Sequence, residues 1–269
     1  VKRVWLHALL AVGAATTLFP LLWMLSASFM TAGEATALPP HLVPHAATLD
    51  QYRQLFIRLN LGRAFFSSLV VASIVTVGCV LFSSMAGYAF AKLRFGGRER
   101  IFGILLIALI IPPQVGMLPL FLFMKQLHLV NTYWGAIIPS LATVFSIFLI
   151  RQFMLSVPQE LLEAARLDGA GELRIYWSVV LPLARPILAT LATFMFMSTW
   201  NDFMWPLIIL SDQRHYTLPV AIANLVGEHV QDVELMMASS VVTVLPVLLL
   251  FVVLQRYYIA GIMAGSVKG

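Results

Sequence analysis

Long apolar runs and short polar stretches alternate along the chain. Six runs, at 8–30, 64–91, 101–124, 132–154, 186–210 and 236–257, hold only Asp202 and, near their ends, Arg151 and Arg256 as charged residues. Each supplies the roughly 20 residues that a helix needs to cross a bilayer. Lipid offers no hydrogen bonds, so a span of this length must satisfy its own backbone as a helix. The pattern predicts an all-α polytopic membrane protein, one transmembrane domain over 1–269 with six transmembrane helices. The stretches between the spans, 31–63, 155–185 and 211–235, lie outside the hydrocarbon.

The most polar of these stretches has internal order. Residues 158–186 read PQELLEAARLDGAGELRIYWSVVLPLARP and include Glu160, Glu163, Arg166, Asp168, Glu172, Arg174 and Arg185. Pro158 suits the first turn of a helix, where its missing N–H costs nothing. Glu160 complements the positive helix end. Leu161, Leu162, Ala165 and Leu167 form a short apolar stripe, and Gly169 is a natural stop. Ala164 and Ala165 keep the surface flat enough for close approach by another protein. A second short helix over 172–181 is expected to end at Leu181-Pro182. The stretch reads as two short helices around a Gly169-Ala170-Gly171 elbow.

Glu163-Ala164-Ala165, then Gly169, Val179 and Leu181-Pro182 at fixed distances, resembles the EAA loop of ABC importer permeases. That family more often has Ile at the place of Val179. The resemblance continues in Trp200-Asn201-Asp202-Phe203 with Trp205-Pro206, and in a tail ending Ser266-Val267-Lys268-Gly269, where Ala is frequent at the place of Ser266. It points to the smaller, MalG-like permease of a maltose-type carbohydrate importer, in the binding-protein-dependent transport family. It implies a MetI-like type I importer fold and a second, MalF-like permease. It also implies a dimer of ATPase subunits that binds ATP and Mg, and an extracytoplasmic sugar-binding protein. On this resemblance Glu163, Ala164, Ala165, Asp168, Gly169, Leu181 and Pro182 couple to the ATPase. Ser266, Val267, Lys268 and Gly269 reach toward the ATPase, and the 211–235 loop faces the binding protein. The sugar is not named by the residues.

Charge fixes an orientation. With the N-terminus inside, the inner segments hold twelve Lys and Arg and the outer ones five. Positive residues concentrate on the cytoplasmic side, so both termini and the 158–186 loop are expected there. This bias accounts for the +5 net charge, with no nucleic-acid partner required. The resemblance implies that the membrane is a bacterial inner membrane. The run after Lys2-Arg3 is too long for a signal h-region and reads as a span. The single Cys79 lies inside a span and builds no disulfide framework.

Other features refine the picture. Trp5 and Trp23 suit the two interfaces of the first span, and Tyr133-Trp134 suits the entry of the fourth. His41 and His45 have metal-like spacing, but flanking prolines favour a solvated pair, and no metal site is expected. Thr48-Leu49-Asp50-Gln51 is a candidate capping box. Leu49, Tyr52, Leu55, Phe56 and Leu59 follow at helical spacing, as in an amphipathic surface helix. The hydroxyl and small residues of the second span fit close helix packing or a polar lining. Gly96-Gly97 makes a tight turn. Pro112-Pro113 and Pro119 are expected to break the third span, near the translocation route or as a packing kink. The charges of the 211–235 loop fit simple solvation, with Gly227 at its turn.

An Asp inside a span is a functional candidate. Asn201 and Asp202 could line the substrate path, hold the Pro206 kink or pair with a neighbour. An ion-driven secondary transporter using Asp202 is the alternative function, although a proton relay usually needs more than one buried ionisable group. No Gly is followed by Lys, so no Walker A loop can be written and ATP hydrolysis falls to another chain. No catalytic constellation stands at span depth, and no enzyme activity or cofactor is expected of this chain itself.

Overall fold

The structure, a computed structural model, describes residues 2–39, 41–58, 60–228 and 232–266. Among them every regular element is a helix or helical turn. Contacts divide the chain into two compact units, 1–66 with 217–249, and 67–216 with 250–269.

The first unit contains α1 (Lys2–Ala27), the short α2 (Asp50–Arg53) and the start of α3 (Leu61–Lys92). It also contains α12 (Leu218–Glu228) and the first half of α13 (Val233–Ser266). Residues 4–22 of α1 are exposed throughout and apolar on all sides, as suits a helix whose neighbours are lipid or another chain. Trp5 is exposed, whereas Trp23 packs with Ala27, Met30 and Ala35 against Val233 and Met237. Trp23 is thus half-buried against a small protein core.

The expected capping box does not form. Gln51 is buried and its Nε2 donates to the Met30 carbonyl at 3.4 Å, while the Thr48 amide bonds the Phe29 carbonyl. Thr48 Oγ1 instead accepts from the Asp50 amide at 3.1 Å. The amphipathic helix shortens to α2 and a π turn over Gln54–Arg58. Leu55 is buried, Tyr52 is half-buried, and Leu49 and Phe56 are exposed. Leu59 lies outside the described residues. Glu234 is not solvated: it is fully buried and its Oε1 accepts from the Ala35 amide at 2.7 Å. The loop brings His41 Nε2 and His45 Nε2 to 3.3 Å without a helix.

The second unit holds most of α3, then α4 (Arg98–Ala108), α5 (Pro113–Gln126) and α6 (Tyr133–Ile137) with a 3₁₀ turn over Ile138–Ser140. It continues through α7 (Val144–Leu155), α8 (Gln159–Leu167), α9 (Glu172–Ile175), α10 (Leu181–Trp200) and α11 (Met204–Ile209). Thr132 and Thr143 cap the starts of α6 and α7 by accepting from the Gly135 and Ser146 amides. Hydroxyls of α3 are packing groups here: Ser67 bonds Tyr133 and Ser84 bonds Tyr176, both at 2.7 Å. Gly87 lets α3 meet α7, since a Cβ there would stand 2.6 Å from Ile150 Cγ2. Tyr133 is therefore tied into the core, and only Trp134 of the expected anchor pair is exposed.

Among the described residues, four helical stretches are long and apolar enough to cross a membrane alone: Val4–Ala27, Leu61–Lys92, Tyr133–Leu155 and Val233–Val253. The third and fifth expected spans are bent pairs. Helices α4 and α5 meet at 103° around Pro112-Pro113, which remove two adjacent donors. Pro119, expected to break the span again, sits inside α5, where one lost bond is tolerated. The fifth bends by 80° between Leu183 and Arg185. The count of six spans holds when each bent pair is one span.

Candidate functional site

The Glu163–Gly169 segment folds as a short helix with a fully bonded end. Pro158 precedes α8 as its N-cap, not as a first-turn residue. The chain then closes in a Schellman motif: the Ala170 amide bonds the Ala165 carbonyl and the Gly169 amide the Arg166 carbonyl, each at 3.0 Å. Gly169 has φ of +80°, the left-handed conformation that this motif needs, and a Cβ there would meet no atom within 4 Å. The glycine is required by its backbone angle alone. Ala165 and Ala170, the apolar pair that accompanies the motif, both pack against the core of the second unit. Ala165 and Gly169 are thus two parts of one turn.

Only one line of α8 faces inward. Leu162 is fully buried, Ala165 and Arg166 are half-buried, and Glu163, Ala164 and Asp168 are exposed. The wider stripe expected from the sequence is not buried. At about 100° per residue, Leu161 and Leu167 turn about 100° and 140° away from Leu162. Leu167 is 89% exposed, and Leu173 and Trp177 are also exposed. An outward surface with apolar Leu167, Leu173 and Trp177 beside charged Glu163 suits a protein partner.

The elbow is held by a stripe on α3. Ser84, Tyr88 and Lys92 recur four residues apart, so they share one helix face. Ser84 bonds Tyr176; Tyr88 Oη donates to Glu172 Oε2 at 2.7 Å; Lys92 Nζ donates to the Val157 carbonyl at 2.6 Å. Arg166 Nε donates to the other Glu172 oxygen at 2.7 Å, so Glu172 joins α8, α9 and α3. The Arg166 guanidinium and the Tyr88 hydroxyl hold the Glu172 carboxyl below the usual carboxylate range. Sequence reading missed this stripe. Its signal was present as polar residues at i, i+4 and i+8 toward the charged end of a span.

Beyond α9 the helical backbone does not stop at Leu181-Pro182. A π turn over Tyr176–Val180 leads directly into α10, which runs through Pro182 and Pro186. Neither proline has an N–H, so the i−4 bonds to residues 178 and 182 are missing on either side of the 80° bend. Buried Ala184 sits at that bend. Leu181 is half-buried and Pro182 exposed.

Asn201 and Asp202 lie where α10 ends and α11 begins. Asn201 Nδ2 donates to the Met197 carbonyl at 2.8 Å, and Asp202 Oδ1 accepts from the Trp205 amide at 3.4 Å. Both side chains satisfy backbone groups at a helix break. The next turn is organised by Asn131, whose Oδ1 accepts from the Ser211 and Asp212 amides at 3.1 and 3.0 Å. Trp205 Nε1 donates to the Gly135 carbonyl at 3.1 Å. Ser266 ends α13, and Val267, Lys268 and Gly269 lie outside the described residues. No group of three His, Cys, Asp or Glu among the described residues could hold a metal ion.

Residues 80–263, which contain the whole elbow, match the family model described as the binding-protein-dependent transport system inner membrane component. The chain belongs to that family. It is similar to the arabinooligosaccharides transport system permease protein AraQ of Halalkalibacterium halodurans, at 41% identity over 93% of this chain and 91% of the relative. It is also similar to the melibiose/raffinose/stachyose import permease protein MelC of Bacillus subtilis, at 32% identity over 97% and 95% of the two chains. A solved bacterial ABC transporter involved in import of the acidic polysaccharide alginate contains a chain of the same fold. It has a TM-score of 0.82 and 26% identity, covering 96% of each chain. The protein is thus an ABC importer permease with a MetI-like fold, multi-pass in the inner membrane.

Proposed function

We propose that the chain is the permease subunit of an ATP-driven importer of sugars or oligosaccharides, forming half of the translocation path with a second permease. The observation that carries the coupling role is α8 itself: a helix anchored by buried Leu162, closed at Gly169, and exposing Glu163, Ala164 and Leu167. Such an element can transmit a push because its inner face is fixed while its outer face is open to a partner. The partner is an ATPase dimer that binds ATP and Mg, and an extracytoplasmic binding protein delivers the substrate. The charge bias puts both termini and α8 on the cytoplasmic side. Closure of the ATPase dimer moves α8, and the attached helices rock between inward- and outward-facing states. Each state is selected by differential contacts with nucleotide and substrate.

Similarity to permeases for arabinooligosaccharides and for melibiose, raffinose and stachyose supports a carbohydrate as the substrate. Asn201 and Asp202 line the path through a break that their own side chains cap. The tail residues Ser266, Val267, Lys268 and Gly269 are the chain's second contact with the ATPase. The test is uptake by proteoliposomes holding the chain with its genomic neighbours. Oligosaccharide should accumulate with enclosed ATP and binding protein, and should be indifferent to a protonophore. A Glu163→Cys variant should crosslink to the ATPase. Uptake that ignores ATP and collapses with a protonophore refutes this function and favours the ion-driven alternative.

A further inference from the structure

We propose that the turn between α3 and α4 is a binding site for the phosphate of an anionic lipid. A cavity of about 640 Å³ opens there, lined by Arg94, Phe95, Gly97, Arg98, Glu99 and Arg100. Its one carboxylate is already neutralised: Glu99 pairs with Arg98 at 2.9 Å and with Arg151 at 3.3 Å. Arg94 and Arg100 have no anionic partner among the described residues, and both are exposed. The cavity therefore carries uncompensated positive charge.

The turn is built to stay in place. Gly97 adopts φ of +79° and Arg98 Nη1 donates to the Leu93 carbonyl at 3.0 Å. Phe90 packs on Phe95 and Phe102, with ring centroids 5.7 and 5.5 Å apart, and the Arg151 guanidinium lies 4.1 Å from the Phe102 centroid. Leading away from the cavity, α4 exposes Ile101, Ile104 and Ile107 at three-residue intervals, on one broad face. A basic pocket at the end of an exposed isoleucine strip matches a glycerophospholipid, with phosphate on the arginines and acyl chains along α4. Basic pockets beside membrane helices select anionic headgroups in this way.

The experiment uses the assembled transporter in phosphatidylcholine membranes, with trace spin-labelled phosphatidylglycerol or spin-labelled phosphatidylcholine. The anionic label should show a motionally restricted fraction that the zwitterionic label lacks. Each arginine near an anionic lipid contributes about fivefold in affinity, so Arg94→Gln with Arg100→Gln should weaken that fraction about 25-fold. Arg94→Lys with Arg100→Lys keeps the charge and should retain most of it. Equal restriction of both labels, an unaffected double Gln variant, or a Lys variant as weak as the Gln variant each overturns the proposal. Displacement of the label by millimolar inorganic phosphate as readily as by unlabelled phosphatidylglycerol also overturns it, since the site would then be one for a soluble phosphate.

Discussion

Replacing Gly169 with alanine changes one backbone preference and nothing else in contact. The added Cβ meets no atom within 4 Å, so no packing term enters. What remains is the φ of +80°, which an L-residue adopts at a cost of about 1–2 kcal/mol. At about 1.4 kcal/mol per factor of ten, the closed turn becomes roughly tenfold less populated relative to its opened form. Two hydrogen bonds report this equilibrium directly, those of the Gly169 and Ala170 amides. Their hydrogen exchange in the assembled transporter should therefore accelerate about tenfold, while amides near buried Leu162 keep their rates. Gly171 is the internal control. It is equally uncrowded, but its φ of −70° suits any residue, so Gly171→Ala should leave exchange unchanged or slow it.

Coupling should follow the same order. A frayed turn lets α8 move without carrying the chain behind it, so sugar transported per ATP hydrolysed should fall in Gly169→Ala and hold in Gly171→Ala. Gly169→Asn should lie between them, because Asn tolerates the left-handed region better than Ala. If Gly169→Ala and Gly171→Ala prove alike in exchange, the turn does not depend on that backbone angle and the account of the elbow is wrong. If exchange responds and the transport ratio does not, the elbow is real and its coupling role fails.

Leu162→Ala should lower the stability of the second unit by about 2–5 kcal/mol, seen as a reduced thermal midpoint, since the side chain is fully buried. Tyr88→Phe and Glu172→Gln should show a non-additive double-mutant cycle in the same assay, because one hydrogen bond joins them. Glu172 has its folded pKa depressed, so its stabilisation is fully present above the ordinary value of 4.5 and is lost as pH falls through the lower folded value. Protease resistance of the 158–186 loop should accordingly be flat at neutral pH and decline only below 4.5 in the wild type. Asp202→Asn keeps an acceptor for the Trp205 amide and should keep stability, whereas Asp202→Ala should lose about 0.5–2 kcal/mol. Uptake unchanged in Asp202→Asn removes a charge-dependent role in the substrate path.

The helical class, the places of the apolar segments and the elbow at Gly169 were legible because each rests on a local property: hydropathy over some 20 residues, or one glycine at the end of a short helix. What could not be read is where two distant segments complete each other's hydrogen bonds. Glu172 was visible as a loop charge, but its two oxygens are divided between Arg166 and Tyr88. Gln51 looked like half of a capping box, yet it turns inward to the Met30 carbonyl. The fifth span was read as beginning at residue 186, where the apolar run follows Arg185, and the short helix before it as ending at Leu181-Pro182. A π turn before Pro182 instead carries the helix through to the bend.

These non-local bonds also bear on mechanism. The polar stripe of α3 fastens to the elbow at three points, Ser84, Tyr88 and Lys92, so a displacement of α8 and α9 acts on a transmembrane helix along a side-chain path. Gly87, on the same helix, brings α7 within contact, and α7 leads directly into the elbow through Val157 and Pro158. On the coupling proposed above, α3, α7 and the elbow move together. A push on Glu163 and Leu167, if the proposed coupling holds, has a side-chain route to α3 and α7 through contacts that a lone surface loop could not supply.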